Sequence, residues 1–159
     1  MHDFVSLTPR LPSFRFLDVN HSRDLLFTVI HVAGMIQDRL EAALVPTGLS
    51  LAKLGALRHL AEANEPLPLG QLAERIACVK SNVTQLVDRL EADQLVRRVP
   101  DPSDRRSVRA EITDEGRARY DAGVEALEAA QDEVIAELAA EERDQLHRLL
   151  DRLASVPLT

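Results

Sequence analysis

The chain has 159 residues, of which 45% are hydrophobic and 3% aromatic, so a core of aliphatic side chains is expected and wholesale disorder is disfavoured. No apolar run approaches the roughly 20 residues of a membrane span, no secretory signal is visible, and Cys78 alone permits no intrachain disulfide, which together favour a cytoplasmic protein without a membrane partner. The net charge of −7 is uneven: residues 71–109 carry eight Lys or Arg against six Asp or Glu, whereas the remainder has a net charge of −9. Such a basic middle in an acidic chain is compatible with one DNA-facing edge.

The first predicted elements are an arm and three helices. Residues 1–21 hold three of the four Phe without a clear period, and we expect an ordered apolar arm that packs across the helical region. Apolar residues recur every three or four positions over about 22–45, which predicts a long helix ending at Pro46 and Gly48. Ser50 can cap a second helix over about 51–63. A short helix follows, with its apolar positions at Leu69, Leu72, Ala73 and Ile76.

The next predicted helix, about 80–93, has two distinct faces. At 100° per residue, Ser81, Thr84, Gln85 and Asp88 lie opposite an apolar stripe. The residues of that stripe are Val83, Leu86, Val87 and Leu90. The pattern then alternates over 96–98 and 108–112, which predicts the two strands of a hairpin, and turn-forming residues at 100–104 separate them.

Two long helices are predicted to complete the chain. Thr113 can cap the first, with acidic residues in its first turn, where the helix dipole favours them. From Tyr120 to Leu138 the inward positions step by three and four residues, as along a coiled-coil contact line. A last helix over about 141–155 has an apolar stripe consisting of Leu146, Leu149, Leu150 and Leu153. The two stripes offer more apolar surface than one winged helix can cover, which predicts a homodimer.

The order of elements predicts a mainly α-helical fold with a small β-hairpin wing (α+β), that is, a winged helix-turn-helix with long dimerisation helices. Three regions are expected: an apolar N-terminal arm (1–21), a helical dimerisation region (22–48 and 114–159) and a winged helix-turn-helix (49–113). In such folds the second helix of the motif enters the major groove of double-stranded DNA. Its candidate contacts are Lys80, Ser81, Asn82, Thr84 and Gln85. For the helix alone, an ordinary solvated face is the alternative; the hairpin, whose loop can reach DNA, favours the DNA-binding interpretation.

Two stretches resemble the MarR family of winged-helix regulators: residues 67–95 (LPLGQLAERIACVKSNVTQLVDRLEADQL) and residues 96–116 (VRRVPDPSDRRSVRAEITDEG). The run TQLVDRLE, the turn DPSDRR and the exit ITDEG make the resemblance specific, and the helix order extends it over about 22–155. The resemblance implies a homodimer built by the first and last helices, which binds a pseudo-palindromic operator, usually to repress. It also implies release by a small phenolic or other lipophilic acid, or by thiol oxidation.

The resemblance also assigns roles in the wing. Asp104 and Arg106 match the family's Asp-x-Arg unit, in which the arginine enters the minor groove and the aspartate holds it. Arg105, with Arg97 or Arg98, would then contact the DNA backbone.

Three positions depart from the family's pattern. Pro68 stands where the short helix usually has a cap residue, and proline is tolerated in a first turn. Val79 stands where the recognition helix usually has its cap, and its side chain cannot accept the free N–H groups. Ser81 or Asn82 can supply that cap instead, so the first contacting residue stays open by about one position. Gln85 replaces a usual basic residue, yet its amide can still bind adenine.

Four side chains are candidates for an effector site, because the family's ligand pocket would form near the first two helices: His31, Met35, Arg58 and His59. The alternative for both histidines is an ordinary hydrogen-bonded or surface role. Cys78 is interpreted as a small buried core residue, with a redox switch at a helix N-terminus as the alternative. No His, Cys or acidic residues show metal-ligand spacing, and no cofactor is expected.

Three classes of function were compared. A DNA-binding regulator fits the motif, the basic wing and the resemblance. An enzyme is disfavoured, because the sequence has no Gly-rich phosphate loop, nucleophile elbow or metal signature. A winged-helix protein-interaction module without a DNA-recognition function is the remaining alternative, which the acidic total charge keeps open.

Overall fold

The computed structural model describes residues 21–76, 80–104 and 107–156. The chain divides into two units, Met1–Gly34 and Met35–Thr159. In the first unit the described residues are the N-terminal part of a helix, α1 (His21–Leu44). The predicted arm at 1–21 lies almost wholly outside the described residues, and so does Cys78.

The second unit contains the remaining elements, in the predicted order. They are α2 (Leu51–Ala63), β1 (Leu67–Pro68), α3 (Leu69–Arg75), α4 (Lys80–Ala92), β2 (Val96–Pro100), β3 (Val108–Ile112), α5 (Asp114–Ile135) and α6 (Ala140–Ala154). A 3-10 turn, Val45–Thr47, joins α1 to α2. The helix boundaries agree with the prediction to within about three residues. The mainly α-helical fold with a small sheet is therefore confirmed.

The residues that begin and end the helices explain these boundaries. Gly48, with φ 70°, occupies the left-handed conformation that closes the 3-10 turn. The Ser50 hydroxyl accepts a hydrogen bond from the N–H of Lys53 at 3.2 Å, as predicted for the cap of α2. Asn64, with φ 52°, ends the same helix. The Thr113 hydroxyl caps α5 by accepting from the N–H of Gly116 at 2.9 Å.

A three-stranded antiparallel sheet has the order β1-β3-β2. The hairpin β2–β3 was predicted, and its register pairs Val96 with Ile112 and Pro100 with Val108. The edge strand β1 was not predicted, because two residues are too short to show alternation. Pro68 lacks an N–H donor and is tolerated at this edge.

One apolar core lies inside the winged helix-turn-helix. Its most deeply buried side chains come from every element of the motif and from the end of α1: Leu44, Ala56, Leu57, Leu60, Leu67, Leu72, Val83, Val87, Leu90, Leu95, Val96 and Ala110. The core fixes α4 by its apolar face, so the opposite face of α4 is left for solvent or a ligand.

The predicted coiled-coil line on α5 divides into two parts. Tyr120, Val124 and Leu127 are half-buried and pack against the core of their own chain. The helix then ends at Ile135, so Leu138 lies in the connection to α6. The expectation of one continuous contact line from Tyr120 to Leu138 is therefore wrong, because the first half is used for intrachain packing.

The last helix shows the opposite behaviour. No residue of α6, which the structure describes throughout, is buried. Its predicted apolar stripe is present and exposed along the whole helix. Within the described ranges, no single helix is long and apolar enough to cross a membrane, and one bent pair of consecutive helices meets the criteria of length and composition alone.

Candidate nucleic-acid interface

The polar face of α4 is the centre of the candidate interface. Val83, Val87 and Leu90 anchor the helix in the core. Asn82 and Gln85 are exposed on the other side, together with Thr84. The three- and four-residue spacing of the buried positions thus determines which polar side chains face outward. Lys80 and Ser81 belong to the first turn of α4, but their side chains, like residues 77–79, lie outside the described part of the structure.

The two arginines of β2, either of which was predicted to contact the DNA backbone together with Arg105, both contact carboxylates of their own chain. Arg97 on β2 donates from Nε to Glu111 Oε2 on β3 over 2.6 Å, and its side chain is 66% exposed. This hydrogen bond raises the pKa of Arg97 and lowers that of Glu111. Arg98 instead contacts Asp88 and Glu91 on α4, and its side chain is 25% exposed.

A buried carboxylate organises the base of the wing. Asp101 follows β2, and among the described residues it is the one charged side chain that is buried. Its Oδ2 accepts from Arg109 Nε at 2.9 Å, and its Oδ1 accepts from Arg109 Nη2 at 3.1 Å. Oδ1 also accepts from the N–H and the hydroxyl of Ser103, at 2.8 and 2.6 Å. The guanidinium of Arg109, followed by the Ser103 donors, holds the pKa of Asp101 well below its usual range.

The loop between the strands carries the predicted minor-groove unit. Main-chain hydrogen bonds narrow the loop at its base: Asp101 N–H donates to the Ser107 carbonyl at 3.1 Å, and Ser107 N–H donates to the Asp104 carbonyl at 2.9 Å. Asp104 is exposed. Arg105 and Arg106 lie outside the described residues, so the pairing of Asp104 with Arg106 stays a prediction.

A groove of about 460 Å³ lies between α2 and α5, away from the polar face of α4. Its apolar lining includes Leu51, Leu54, Val124 and Leu127, and polar groups stand around it. Arg58 Nε donates to Glu62 Oε1 over 2.7 Å within this groove, which lowers the pKa of Glu62. An apolar groove with a cation at its edge can hold an apolar molecule that carries an acidic group.

The four effector-site candidates do not converge on this groove. Arg58 lines it. His59 is the next residue along α2 and is absent from the lining; its Nδ1 lies 3.7 Å from Glu62 Oε2. Met35 is exposed and is likewise absent from the lining. His31 is exposed on α1 in the other unit.

A sequence model described as the MarR family matches residues 49–108. The uncharacterised HTH-type transcriptional regulator YkoM of Bacillus subtilis is 34% identical over 119 residues, which cover 74% of this chain and 72% of that protein. The chain belongs to the MarR family. Members of the MarR family bind DNA and dimerise, so this chain is a DNA-binding regulator of transcription.

Two further MarR-like proteins extend the comparison beyond the motif. The HTH-type transcriptional repressor Rv2887 of Mycobacterium tuberculosis is 28% identical over 129 residues, which cover 81% of this chain and 92% of that protein. The crystal structure of CouR from Rhodococcus jostii RHA1, bound to p-coumaroyl-CoA, superposes with a TM-score of 0.68 at 30% identity. That match covers 89% of this chain and 99% of CouR.

Sequence reasoning missed three features of this MarR-family site. Asp101 was interpreted only as a turn residue, although Asp followed two positions later by Ser is a signal for a side-chain-closed turn. Its partner Arg109 was counted only toward the basic charge. The groove residue Tyr120 was assigned to dimer contacts, because periodicity shows that a residue faces inward but not which surface it meets.

Proposed function

We propose that the chain is a homodimeric repressor that binds a pseudo-palindromic operator and is released from it by a small organic ligand. The observation that supports this is the polar face of α4, which is exposed beside a hairpin while Val83, Val87 and Leu90 on the other face are buried. We also propose that the chain acts in the cytoplasm, and that it works by binding DNA and not as an enzyme. Among the described residues, no cluster of His, Cys, Asp or Glu is arranged to hold a metal ion.

The proposed DNA contacts divide into two groups. In the major groove they come from the start of α4: Lys80, Ser81, Asn82, Thr84 and Gln85. In the wing, Arg106 enters the minor groove with Asp104 as its brace, and Arg105 contacts the backbone. Arg97 keeps its proposed backbone contact, because its side chain is the more exposed of the two neighbouring arginines.

The two groups are tested by affinities for operator and scrambled duplex at several salt concentrations. Arg106→Ala should weaken binding to both duplexes. It should also reduce the slope of log affinity against log salt concentration by about one. Gln85→Ala should act mainly on the operator, at a cost of about 1–3 kcal/mol if the amide makes a good base-edge contact. Asp104→Ala should weaken binding although it removes a negative charge. Tighter binding of Asp104→Ala would contradict the bracing role.

A protein-interaction module is the second candidate, and one observation favours it. Arg97, Arg98 and Arg109 all form ion pairs with carboxylates of their own chain, which reduces the positive charge that the hairpin offers to DNA. A salt titration with random duplex separates the two functions. A DNA-binding protein loses affinity linearly with the logarithm of salt concentration as counterions are released, whereas a protein-binding module binds little DNA at any salt.

We also propose that the effector is a small phenolic or other lipophilic acid and that it occupies the groove between α2 and α5. Two features support this: the apolar lining of the groove, and the guanidinium of Arg58, which is held only by a solvent-exposed pair with Glu62. An acidic ligand can compete with Glu62 for Arg58 while its apolar part lies against Leu54 and Leu127. The acyl group of the CouR ligand, p-coumarate, is a suitable first probe. His31, Met35 and His59 remain proposed effector-site residues, although none of them belongs to the lining of the groove.

Filling the groove tests this assignment. Gly55 lines the groove, and a Cβ on it meets nothing within 4 Å. Gly55→Leu should therefore place its side chain in the groove and abolish the effect of p-coumarate on DNA affinity and melting temperature. Gly70 on α3 is equally open and lies outside the groove, so Gly70→Leu is the matched control and should keep the response. Arg58→Ala should weaken it. If Gly55→Leu responds like the wild type, the ligand binds elsewhere.

A further inference from the structure

Arg98 on β2 holds two carboxylates of α4 at once. Its Nη2 lies 2.5 Å from Asp88 Oδ1, and its Nη1 donates to Glu91 Oε2. The main-chain N–H of Arg98 also donates to Glu91 Oε1, over 3.2 Å. Glu91 therefore binds both the backbone and the side chain of one residue, which ties β2 to the last turns of α4.

This polar connection supplements the apolar contacts between α4 and the wing. Leu90, Leu95 and Val96 hold the two elements together from the core. The covalent link between α4 and β2 is only residues 93–95, and Gln94 within it has φ 62°. Because the Arg98 side chain is three-quarters covered, its ion pairs are less screened by solvent than those of a fully exposed residue. Asp88 is the largest cause of the raised pKa of Arg98.

The neighbouring arginine provides a natural comparison. Arg97 has the same chemistry and forms an equally direct ion pair, but its partner Glu111 lies on β3. Its pair therefore stays within the hairpin and does not reach α4. Substitutions at Arg97 and Arg98 remove the same side chain from adjacent positions, while only one of them releases α4.

We propose that Arg98 is a positioning residue for DNA recognition, which fixes α4 against the wing and neutralises Asp88 and Glu91. The proposal rests on the proposed function. Asp88 follows Thr84 by one helical turn, so an unpaired carboxylate there would stand beside the base-contacting side chains and repel phosphates. A change in the orientation of α4 harms base contacts more than phosphate contacts, because hydrogen bonds to base edges carry the sequence information and require defined geometry.

The experiment compares Arg98→Met with Arg97→Met on operator and scrambled duplex over a range of salt concentrations. Arg98→Met should weaken binding to both duplexes somewhat, because it leaves two carboxylates unpaired near the phosphates. In addition it should lower the ratio of operator to scrambled affinity by about tenfold, the effect of one misplaced base-edge contact, without flattening the salt slope. Arg97→Met should weaken both duplexes alike and flatten the salt slope by about one. Arg98→Lys, which keeps the charge but not the two-pronged geometry, should restore part of the ratio.

Glu91→Gln provides the test of sign. It removes a negative charge near DNA, so simple electrostatics predicts tighter operator binding, whereas the positioning role predicts weaker binding. In the Arg98→Met background, Glu91→Gln should weaken operator binding no further, because the side-chain contact is already lost and the amide oxygen of Gln can still accept from the main-chain N–H of residue 98. The proposal is overturned if Arg98→Met weakens both duplexes equally with a flatter salt slope, which would make Arg98 a phosphate contact, or if Glu91→Gln tightens operator binding.

A measurement without DNA separates this proposal from the proposed function. Spin labels at Gln85→Cys on α4 and Val108→Cys on β3, in a Cys78→Ser background diluted with unlabelled protein, report the distance between helix and wing. The distance distribution should broaden with Arg98→Met and stay unchanged with Arg97→Met. If the wild type binds neither duplex, the proposed function is wrong, and this measurement alone decides whether Arg98 positions α4. Equal distributions in both variants would overturn the positioning role. If circular dichroism shows that Arg98→Met is unfolded, the affinity comparison and the distance measurement are both made with Glu91→Gln in its place.

Discussion

The core leucines of the winged helix-turn-helix are buried, whereas those of α6 are exposed. In the winged helix every core side chain is at most 8% exposed, whereas Leu146, Leu149, Leu150 and Leu153 on α6 are 42–47% exposed. The apolar stripe of α4 in the winged helix and the stripe of α6 have the same helical spacing. The difference shows that the first region completes its core within one chain, while the second presents an apolar surface of the kind that a protein partner covers. It therefore supports the proposed homodimer.

The largest expected effect breaks this comparison at α6. Leu149→Asp combined with Leu150→Asp places two charges on the exposed apolar stripe, and burying unpaired charges in an interface is strongly unfavourable. Light scattering at micromolar concentration should show the mass fall from twice 17.6 kDa to 17.6 kDa. Arg148→Asp, on the opposite face of the same helix, is the matched control and should stay dimeric. A dimeric double variant would remove α6 from the interface.

Matched leucine truncations sharpen the comparison. Leu90→Ala leaves a cavity in a fully buried site, and about 2–5 kcal/mol of unfolding free energy should be lost whatever the protein concentration. In the proposed homodimer Leu150 makes its apolar contact only between chains, so the cost of Leu150→Ala should depend on protein concentration through the dimer equilibrium. Urea denaturation at two concentrations measures both. A concentration-independent cost for Leu150→Ala would mean that α6 packs within its own chain.

The next effect tests how closely the winged helix is packed. A Cβ on Gly116 would lie 2.0 Å from the carbonyl oxygen of Leu95, the residue before β2, so Gly116→Ala must push the start of α5 away from this segment. Overpacking of this kind costs about 1–3 kcal/mol or more. Gly55→Ala is the control, since its Cβ meets nothing, and it should be neutral or stabilising by up to about 1 kcal/mol. Thermal melting that ranks the two variants in the reverse order would contradict the packing described.

Periodicity and cap residues were enough to predict most of the fold. Ser50 and Thr113 begin their helices as expected, because a hydroxyl that accepts an orphan N–H leaves a local signal. Periodicity also predicted the buried face of α4. It could not say which surface each stripe would meet, so Tyr120 and Val124 were assigned to a dimer contact although they pack on their own core.

The sequence was enough to predict which kind of residue faces outward in the site, but not which carboxylate each arginine contacts. The exposed positions of Thr84 and Gln85 follow from the helical period. Which carboxylate each arginine contacts depends on the register between β2 and β3 and on the packing of α4, neither of which is a local property of the sequence. Arg98 therefore received a DNA contact, while its partners Asp88 and Glu91 were not considered together with it.

The smallest expected effect concerns acid stability at the base of the wing. The pKa of Asp101 is held below its usual range in the folded chain by Arg109 and Ser103, whereas in the unfolded chain it should be near the ordinary value of about 4. A carboxylate with a lowered folded pKa adds stability above its unfolded pKa and loses it as the pH falls toward the folded value. Asp101→Asn, which keeps the size but not the charge, should therefore be less stable than the wild type near neutral pH. The difference should narrow only below about pH 4, where the wild-type carboxylate begins to lose its advantage. Urea midpoints across this range measure the difference, with Asp144→Asn on the exposed surface of α6 as a control that should show little effect at any pH. A constant difference between wild type and Asp101→Asn would mean that Asp101 acts in the turn through its shape and hydrogen bonds, and that its charge contributes nothing to the wing.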